Sequence, residues 1–533
     1  MKNGIQKGNI KKTGKISNYL QDYRKKHSDE LTKTSVLILF SLLSALVIQK
    51  KLAFGSFLGS FFLILIILLI FYKDIKRYKP SYLKDHKMLL LLAILVTGTL
   101  MTSKIFEYIL YGLHKGLSFQ DDISYIFGIP IPMGAMLVTL MFDFHTAIIF
   151  SFVMSLITGI WLDNPLYNVF AFIGSLTAAF SVIRCKKRSA LIKGGLYVSA
   201  VNIITSFIIL ILQGNFSANI LASAFLFSAI SGILVTSIVS IVLPFFEYAF
   251  GITTDISLIE LLDLNQPLMH NLMVTAPGTY HHSVIVGNLA EAAAEAIGAN
   301  PLLTRVTAYY HDIGKIKMPE YFIENQSTTV GKHDKLTPHM SSMILISHVK
   351  EGYELARQYK LPKSVIDVIQ QHHGTSLITY FYKKALEQQS THTLKEDYRY
   401  PGPKPQSRVA AIVMMADAVE AASRTLTDAT PARIAALVDK IINNIFLDGQ
   451  IDECELTLKD ISEIKKRFTF ILTSIFHKRI AYPDIEHGMA KKIKTNGDSY
   501  ENGGFVKEQS EVDTDKSAEA KEYNKKGIDV SQR

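Results

Sequence analysis

The sequence predicts an all-α protein built as a polytopic helical membrane domain followed by a soluble helical domain. Three observations carry that expectation. Long stretches between Met88 and Gly251 hold almost no charged residues, although the 533-residue chain is 20% charged overall. After Pro244 the apolar residues recur at three-to-four spacing, the period of an amphipathic helix. Strand-like alternation is almost absent. An apolar fraction of 48% and a mean hydropathy of +0.20 are also high for a wholly soluble chain of this length.

A bilayer crossing needs about 20 mostly apolar residues. Eight segments meet or approach that length: 35–49, 53–72, 88–105, 125–142, 146–162, 167–183, 196–212 and 220–244. The first is short, and only Lys50, Lys51 and Leu52 separate it from the second. Positive residues in short loops set orientation. Segment 73–87 carries Lys73, Lys76, Arg77, Lys79, Lys84 and Lys87, and Arg184, Lys186, Lys187 and Arg188 follow the sixth span. Both should face the cytoplasm, whereas 107–124, with Asp121 and Asp122, and the polar turn 215–219 should lie outside. Both termini are then cytoplasmic, and the protein is multi-pass in the cell membrane. Lys50 and Lys51 fall on the opposite side from that rule.

The net charge of +10 does not indicate nucleic acid, because its Lys and Arg residues cluster at the N-terminus and beside the spans, where they meet anionic headgroups. Few charges lie inside the spans, which argues against a transport path. The two cysteines, Cys185 and Cys454, give no disulfide framework. No removable signal peptide is expected, since no apolar run precedes Thr34 and no clear small-residue cleavage site follows. The resulting boundaries are a basic N-terminal segment (1–33), the membrane domain (34–250), the soluble domain (251–485) and a polar, disordered tail (486–533).

Within the soluble domain, helices are expected over 280–297, 303–313, 337–358, 362–372, 377–388, 407–425, 431–448 and 458–476. They carry His282, the adjacent pair His311 and Asp312, His348, the adjacent pair His372 and His373, and Asp417. Imidazole nitrogen and carboxylate oxygen suit divalent Mn, Fe, Co or Zn, and no nearby cysteine points to a structural thiolate zinc site. Seven ligands exceed the needs of one such ion and suit two ions bridged by a carboxylate. Any one of these residues alone reads as a satisfied core histidine or a helix cap. The two adjacent pairs change that reading, and Lys315 falls about one helical turn after His311.

The string His311-Asp312-Ile313-Gly314-Lys315, preceded by His282 and followed by Asp417, resembles the H...HD...D signature of the HD phosphohydrolase superfamily. The surrounding text, at 276–283, 323–326 (Ile-Glu-Asn-Gln), 348–352, 371–375 and 400–407, is similar to the membrane-anchored, seven-transmembrane HD family of bacterial cyclic di-AMP phosphodiesterases (PgpH-like). Leu-Leu-Asp-Leu-Asn-Gln-Pro-Leu at 261–268 adds to the likeness, which covers about 52–478. The resemblance implies an all-α HD-type metal phosphohydrolase domain. It implies metal ligation by His282, His311, Asp312, His348, His372, His373 and Asp417, with Asp312 bridging two divalent transition-metal ions, Mn or Fe. Lys315 would contact phosphate or assist the leaving group, and Gly374, Thr375 and Ser376 would form polar walls of the nucleotide pocket. His281 goes to the periphery of the ligand set or the surface.

Two departures from the family stand out. The usual large extracellular sensor domain after the first span is replaced by Lys50, Lys51 and Leu52. The sequence Met318-Pro319-Glu320-Tyr321-Phe322 differs after the His-Asp motif and is expected to touch no ligand. The implied activity is hydrolysis of cyclic di-AMP to linear 5'-pApA, with the lipid bilayer and the cyclic dinucleotide as partners and a homodimer left open. The alternatives are hydrolysis of cyclic di-GMP or another nucleotide, or a membrane receptor whose HD domain only senses nucleotide. The His372-His373-Gly374-Thr375-Ser376 run lacks the Gly-Tyr-Pro motif of cyclic di-GMP enzymes.

Overall fold

The computed structural model describes residues 28–49, 53–83, 85–119, 121, 123–214, 217–326, 331–388 and 394–476. The expected tail at 486–533, the first 27 residues and the Lys50–Leu52 connection lie outside them. Among the described residues there is no strand, only an isolated antiparallel bridge between Leu377 and Arg399.

Eight helices make up the membrane part: α1 (Ser28–Ile48), α2 (Phe54–Tyr78), α3 (His86–Gly116), α4 (Met133–Met141), α5 (Phe144–Leu162), α6 (Pro165–Ser181), α7 (Arg188–Leu212) and α8 (Ala218–Phe250). Helix α1 starts at Ser28, so it takes in the end of the expected N-terminal segment. Among the described residues seven helical segments are long and apolar enough to cross a bilayer, and the chain is a multi-pass membrane protein. Two of the eight expected spans differ from a simple crossing. Helix α6 has 17 residues and falls short of the span length. The 125–142 segment is broken: a 3-10 turn (Ser124–Gly128) precedes Pro130 and Pro132, and the nine-residue α4 follows. Proline removes a donor and locks φ, and non-helical backbone survives at membrane depth only when protein covers it. Ile129, Ile131, Met133, Ala135, Met136 and Val138 are accordingly all buried.

Small residues let α7 and α8 cross closely. A Cβ on Gly232 would stand 2.1 Å from the Gly195 carbonyl oxygen, so neither helix accepts a side chain there. Asn202 donates to Ser231 at 3.1 Å and Ser228 meets Ser206 at 3.1 Å across the same interface. Outward faces carry Phe62, Ile66, Ile70, Ile204, Ile208 and Ile241, all exposed, as lipid-facing side chains should be.

Gly251, with φ of 66°, closes α8 in the left-handed conformation that suits glycine. Two short helices absent from the sequence expectation follow, α9 (Asp255–Leu261) and α10 (Pro267–Thr275). The eight expected soluble helices appear as α11 (Pro277–Ala296), α12 (Pro301–Tyr310), α13 (Pro338–Gln358), α14 (Lys363–Gln371), α15 (Thr379–Glu387), α16 (Arg408–Ser423), α17 (Pro431–Leu447) and α18 (Leu458–Ile475). Their starts follow from local chemistry. Asn300, Thr337, Thr430 and Thr457 cap α12, α13, α17 and α18 with side-chain oxygens, and proline at the first turn of α10 to α13 and α17 presets φ. One core is built from α11, α16, α17 and α18 around Val286, Met415, Val438 and Phe468. A second packs Leu268, Leu272, Tyr310 and Ile369 from α10, α12 and α14. The ligand set is carried by helices of both cores.

Candidate metal centre

All seven expected ligands converge. His282 sits one turn and a half into α11; His311 caps the end of α12, with Asp312 next to it; His348 lies within α13; His372 caps α14, with His373 after it; Asp417 lies in α16. They fall into two groups whose donor atoms lie within 4.8 Å of one another: Asp312, His348, His372 and His373 in one, and His282, His311 and Asp417 in the other.

Asp312 stands between them. Its Oδ1 is 3.3 Å from His348 Nε2 and 3.7 Å from His372 Nε2, while its Oδ2 is 3.2 Å from His311 Nε2 and 3.6 Å from His282 Nε2. Asp417 Oδ1 lies 3.0 Å from His282 Nε2, and its Oδ2 lies 3.7 Å from His373 Nδ1. One carboxylate therefore faces both groups with different oxygens.

Three histidines are aimed by the same device. The Nδ1 of His311, His348 and His372 donates to the carbonyl three residues earlier, from Ala308, Leu345 and Ile369, at 2.7, 2.5 and 2.8 Å. That bond holds each ring with its Nε2 facing Asp312 and, in the neutral imidazole, keeps the proton on Nδ1. His282 uses a carboxylate instead: its Nδ1 donates to Glu420 at 2.5 Å, and Arg424 donates to Glu420 at 2.8 and 2.6 Å. Neither Glu420 nor Arg424 was anticipated. The signal was present, since Glu420 and Arg424 follow Asp417 at i+3 and i+7 on one helix face.

The donor set fits two cations. His282 Nε2, His311 Nε2 and both Asp312 oxygens are buried without a hydrogen-bond partner, in a protein interior where such atoms are normally satisfied. Burial alone would raise the Asp312 carboxyl, but His311 and Lys315 beside it outweigh burial and hold it well below the usual carboxylate range. Burial would likewise lower His311, yet Asp312 and Asp417 reverse it and lift that imidazole to about 10. The two carboxylates thus demand positive charge from their surroundings. Burial pulls His348 down to about 3 and His373 well down, which keeps both neutral as ligation requires.

Lys315 is buried and engaged. Its ammonium donates to Glu324 at 2.8 Å, lies 2.7 Å from Asp312 Oδ2, and sits 5.0 Å from the centre of the Phe322 ring. Burial opposes its charge, but Asp312 and Glu324 raise its pKa above the ordinary lysine value. The turn that carries it is possible because residue 314 is glycine: a Cβ there would stand 1.8 Å from the His348 carbonyl oxygen. Phe322 also corrects an expectation. The 318–322 segment does touch a ligand, since its ring packs edge-on against His348 at 5.8 Å between centroids.

A cavity of about 380 Å³ opens beside the centre, lined by His282, Lys315, Glu324, Asp417, Glu420 and Arg424. Gly374, Thr375 and Ser376 follow His373. The Thr375 N–H donates to Gln450 at 2.9 Å and its carbonyl accepts from Arg399 at 2.6 Å, so much of that loop's polarity is used internally. Tyr400 stacks on His373 with centroids 4.3 Å apart. Asn325 holds the α11 start through Thr279, at 3.1 and 2.9 Å. His281 is exposed, as expected.

Residues 54–254 match the family described as a 7TM receptor with intracellular HD hydrolase, and residues 279–422 match the HD domain. The cyclic-di-AMP phosphodiesterase PgpH of Bacillus subtilis (strain 168) is 40% identical over 384 residues, 70% of this chain and 53% of that protein. Its namesake from Listeria monocytogenes serotype 1/2a (strain 10403S) is 36% identical over 443 residues, 82% of this chain and 60% of that protein. The chain belongs to the seven-transmembrane HD family. It spans little more than half the length of these curated relatives. A crystal structure of the L. monocytogenes PgpH HD domain is 48% identical, covers 40% of this chain and 100% of its own, and gives a TM-score of 0.39. The two matched segments coincide with α2 to α8 and with the helices that bear the seven candidate ligands.

Proposed function

We propose that this protein is a membrane-anchored, metal-dependent phosphodiesterase that opens cyclic di-AMP to linear 5'-pApA. The observation that carries the reading is Asp312, whose two oxygens face two separate groups of candidate ligands, Oδ1 toward His348 and His372 and Oδ2 toward His282 and His311. His282, His311 and Asp417 would hold one ion and His348, His372 and His373 the other, with Asp312 shared. Two divalent ions, Mn or Fe, when bound supply polarisation of a phosphodiester and activation of water at neutral pH.

The chain's own residues set the stage for that chemistry. The i−3 carbonyl bonds lock three imidazoles before substrate arrives, so no rotamer search remains at reaction time. Lys315, kept charged by Asp312 and Glu324, borders the cavity where negative charge on phosphate would gather. The adenine preference rests on the similarity to cyclic-di-AMP phosphodiesterases, and in this reading Gly374 to Ser376 with Tyr400 would meet a base. In this reading the short α6 also crosses, which makes eight crossings and puts the HD domain and both termini in the cytoplasm, as the Lys and Arg clusters at the end of α2 and the start of α7 favour.

The test uses the full chain in lipid nanodiscs with Mn. Cyclic di-AMP should give a linear 5'-phosphorylated dinucleotide, resolved by liquid chromatography, while cyclic di-GMP turns over far more slowly. Equal turnover of the two would overturn the base preference, and no linear product from either would overturn the phosphodiesterase.

A further inference from the structure

A second cavity bordering the soluble domain lies away from the candidate ligand set. It measures about 470 Å³ and sits where the last turns of α8 meet the end of α13 and the start of α14. Pro244, Tyr248 and Ile252 form its apolar wall, and Arg357, Lys360 and Lys363 its charged one. At about 1.5 Å of rise per residue, Pro244 stands roughly 39 Å along α8, beyond the ~30 Å hydrocarbon core. A second mark gives the same level: Arg188, the first residue of α7, donates to Glu260 of α9 at 2.6 and 3.0 Å, so a span end and the soluble helices share this boundary. The cavity is therefore at headgroup depth. Tyr248 and Phe245, 79% and 65% exposed, flank it as interfacial aromatics do.

The charge is unbalanced. None of the three cations forms a close ion pair with a described residue, although Arg357 lies 5.6 Å over the Tyr353 ring and Lys363 acts at longer range on Asp367, and the one carboxylate in the lining, Glu247, accepts a hydrogen bond from Thr254. Lys360 adopts φ of 53°, in the left-handed position after a helix where glycine is favoured, so the chain keeps a long cationic side chain at a backbone cost. The start of α14 adds the partial positive charge of a helix N-terminus.

We propose that this cavity binds the phosphate-bearing headgroup of an anionic phospholipid from the leaflet that faces the soluble domain. The three cations and the α14 N–H groups meet the phosphate, and the apolar wall meets the glycerol and first methylenes. Free inorganic phosphate would use only the charged wall. The two helices that border the site also serve the metal centre: α13 carries His348 and ends at the cavity, and α14 begins there and ends at His372.

The experiment uses the full chain in nanodiscs of phosphatidylcholine with a minority of phosphatidylglycerol, released into detergent and weighed by native mass spectrometry. The wild type should retain phosphatidylglycerol several-fold over phosphatidylcholine. Arg357→Gln/Lys360→Gln/Lys363→Gln should lose that preference, while Lys459→Gln/Lys466→Gln/Arg467→Gln, which removes the same charge from α18, should keep it. Lys360→Gly relaxes the backbone at that position, so it guards against misfolding, and it should weaken retention by itself. Equal retention by the wild type and the cavity triple variant, or equal loss in both triple variants, would overturn the proposal. Complete displacement of phosphatidylglycerol by millimolar inorganic phosphate would also overturn it, showing an anion site with no use for the lipid's apolar part.

Discussion

The membrane part and the HD domain both bury polar side chains, but they leave different ones unsatisfied and in different arrangements. In the membrane part the orphaned atoms are scattered: Ser103 Oγ, Trp161 Nε1, Asn168 Oδ1 and Asn202 Oδ1 belong to α3, α5, α6 and α7. The HD domain has scattered orphans too, among them Ser341 Oγ, Ser342 Oγ and Arg408 Nε, but His282 Nε2, His311 Nε2 and both Asp312 oxygens are orphaned together in one site, with the two imidazole Nδ1 atoms already fixed by Glu420 and the Ala308 carbonyl. A scattered orphan reads as a tolerated cost of helix packing. A cluster of converging donor atoms reads as a binding site, because Lys315 reaches one Asp312 oxygen and a shared cation would meet the remaining atoms together.

The sharpest way to break this comparison is to remove the shared carboxylate. Asp312→Ala should reduce turnover to background and strip most bound Mn, measured by metal analysis after gel filtration. Two tightly retained ions in that variant would sink the dinuclear reading. A weaker blow is steric. Gly314→Val would drive its side chain into the His348 carbonyl and should cost about 1–3 kcal/mol in thermal unfolding as α13 is displaced. Wild-type stability there would mean the turn and α13 separate freely.

Glu420 sharpens the comparison further, since it acts only through His282. Glu420→Ala should weaken Mn binding by about 10–100-fold, read by titration calorimetry, with Glu420→Gln intermediate because the amide oxygen still accepts from Nδ1–H. Helix content by circular dichroism should stay at the wild-type level. A loss of helix content that parallels the loss of Mn would reduce Glu420 to a packing residue.

The seven candidate ligands were legible in the sequence because their chemistry is carried by residue type, and the His-Asp and His-His pairs stand at helix ends. What was illegible lay in side-chain direction. Glu420 looks like any exposed helix glutamate until α11 is packed against α16, which puts His282 beside it. Phe322 was read as remote because the 3-10 turns that fold it back on His348 have no hydrophobic period. In the membrane part, hydropathy saw the apolar content of 125–142 and passed over the meaning of Pro130 and Pro132, since a window average does not register a lost N–H. Helices α9 and α10, of seven and nine residues, are too short to show a period at all.

The smallest expected effect tests the other half of the comparison. Asn202 is fully buried between α7 and α8, donates to Ser231 at 3.1 Å, and leaves its Oδ1 without a partner. Asn202→Leu loses one interhelical hydrogen bond, which in membrane proteins averages about 0.6 kcal/mol. The same change removes an unsatisfied carbonyl, which offsets part of that loss. Unfolding in bicelles should therefore shift by no more than about 0.6 kcal/mol, and nucleotide turnover should stay at the wild-type rate. A large loss of turnover with unchanged unfolding would show that a lone polar atom in the membrane part is functional. Clustering would then no longer separate site from scaffold in this protein.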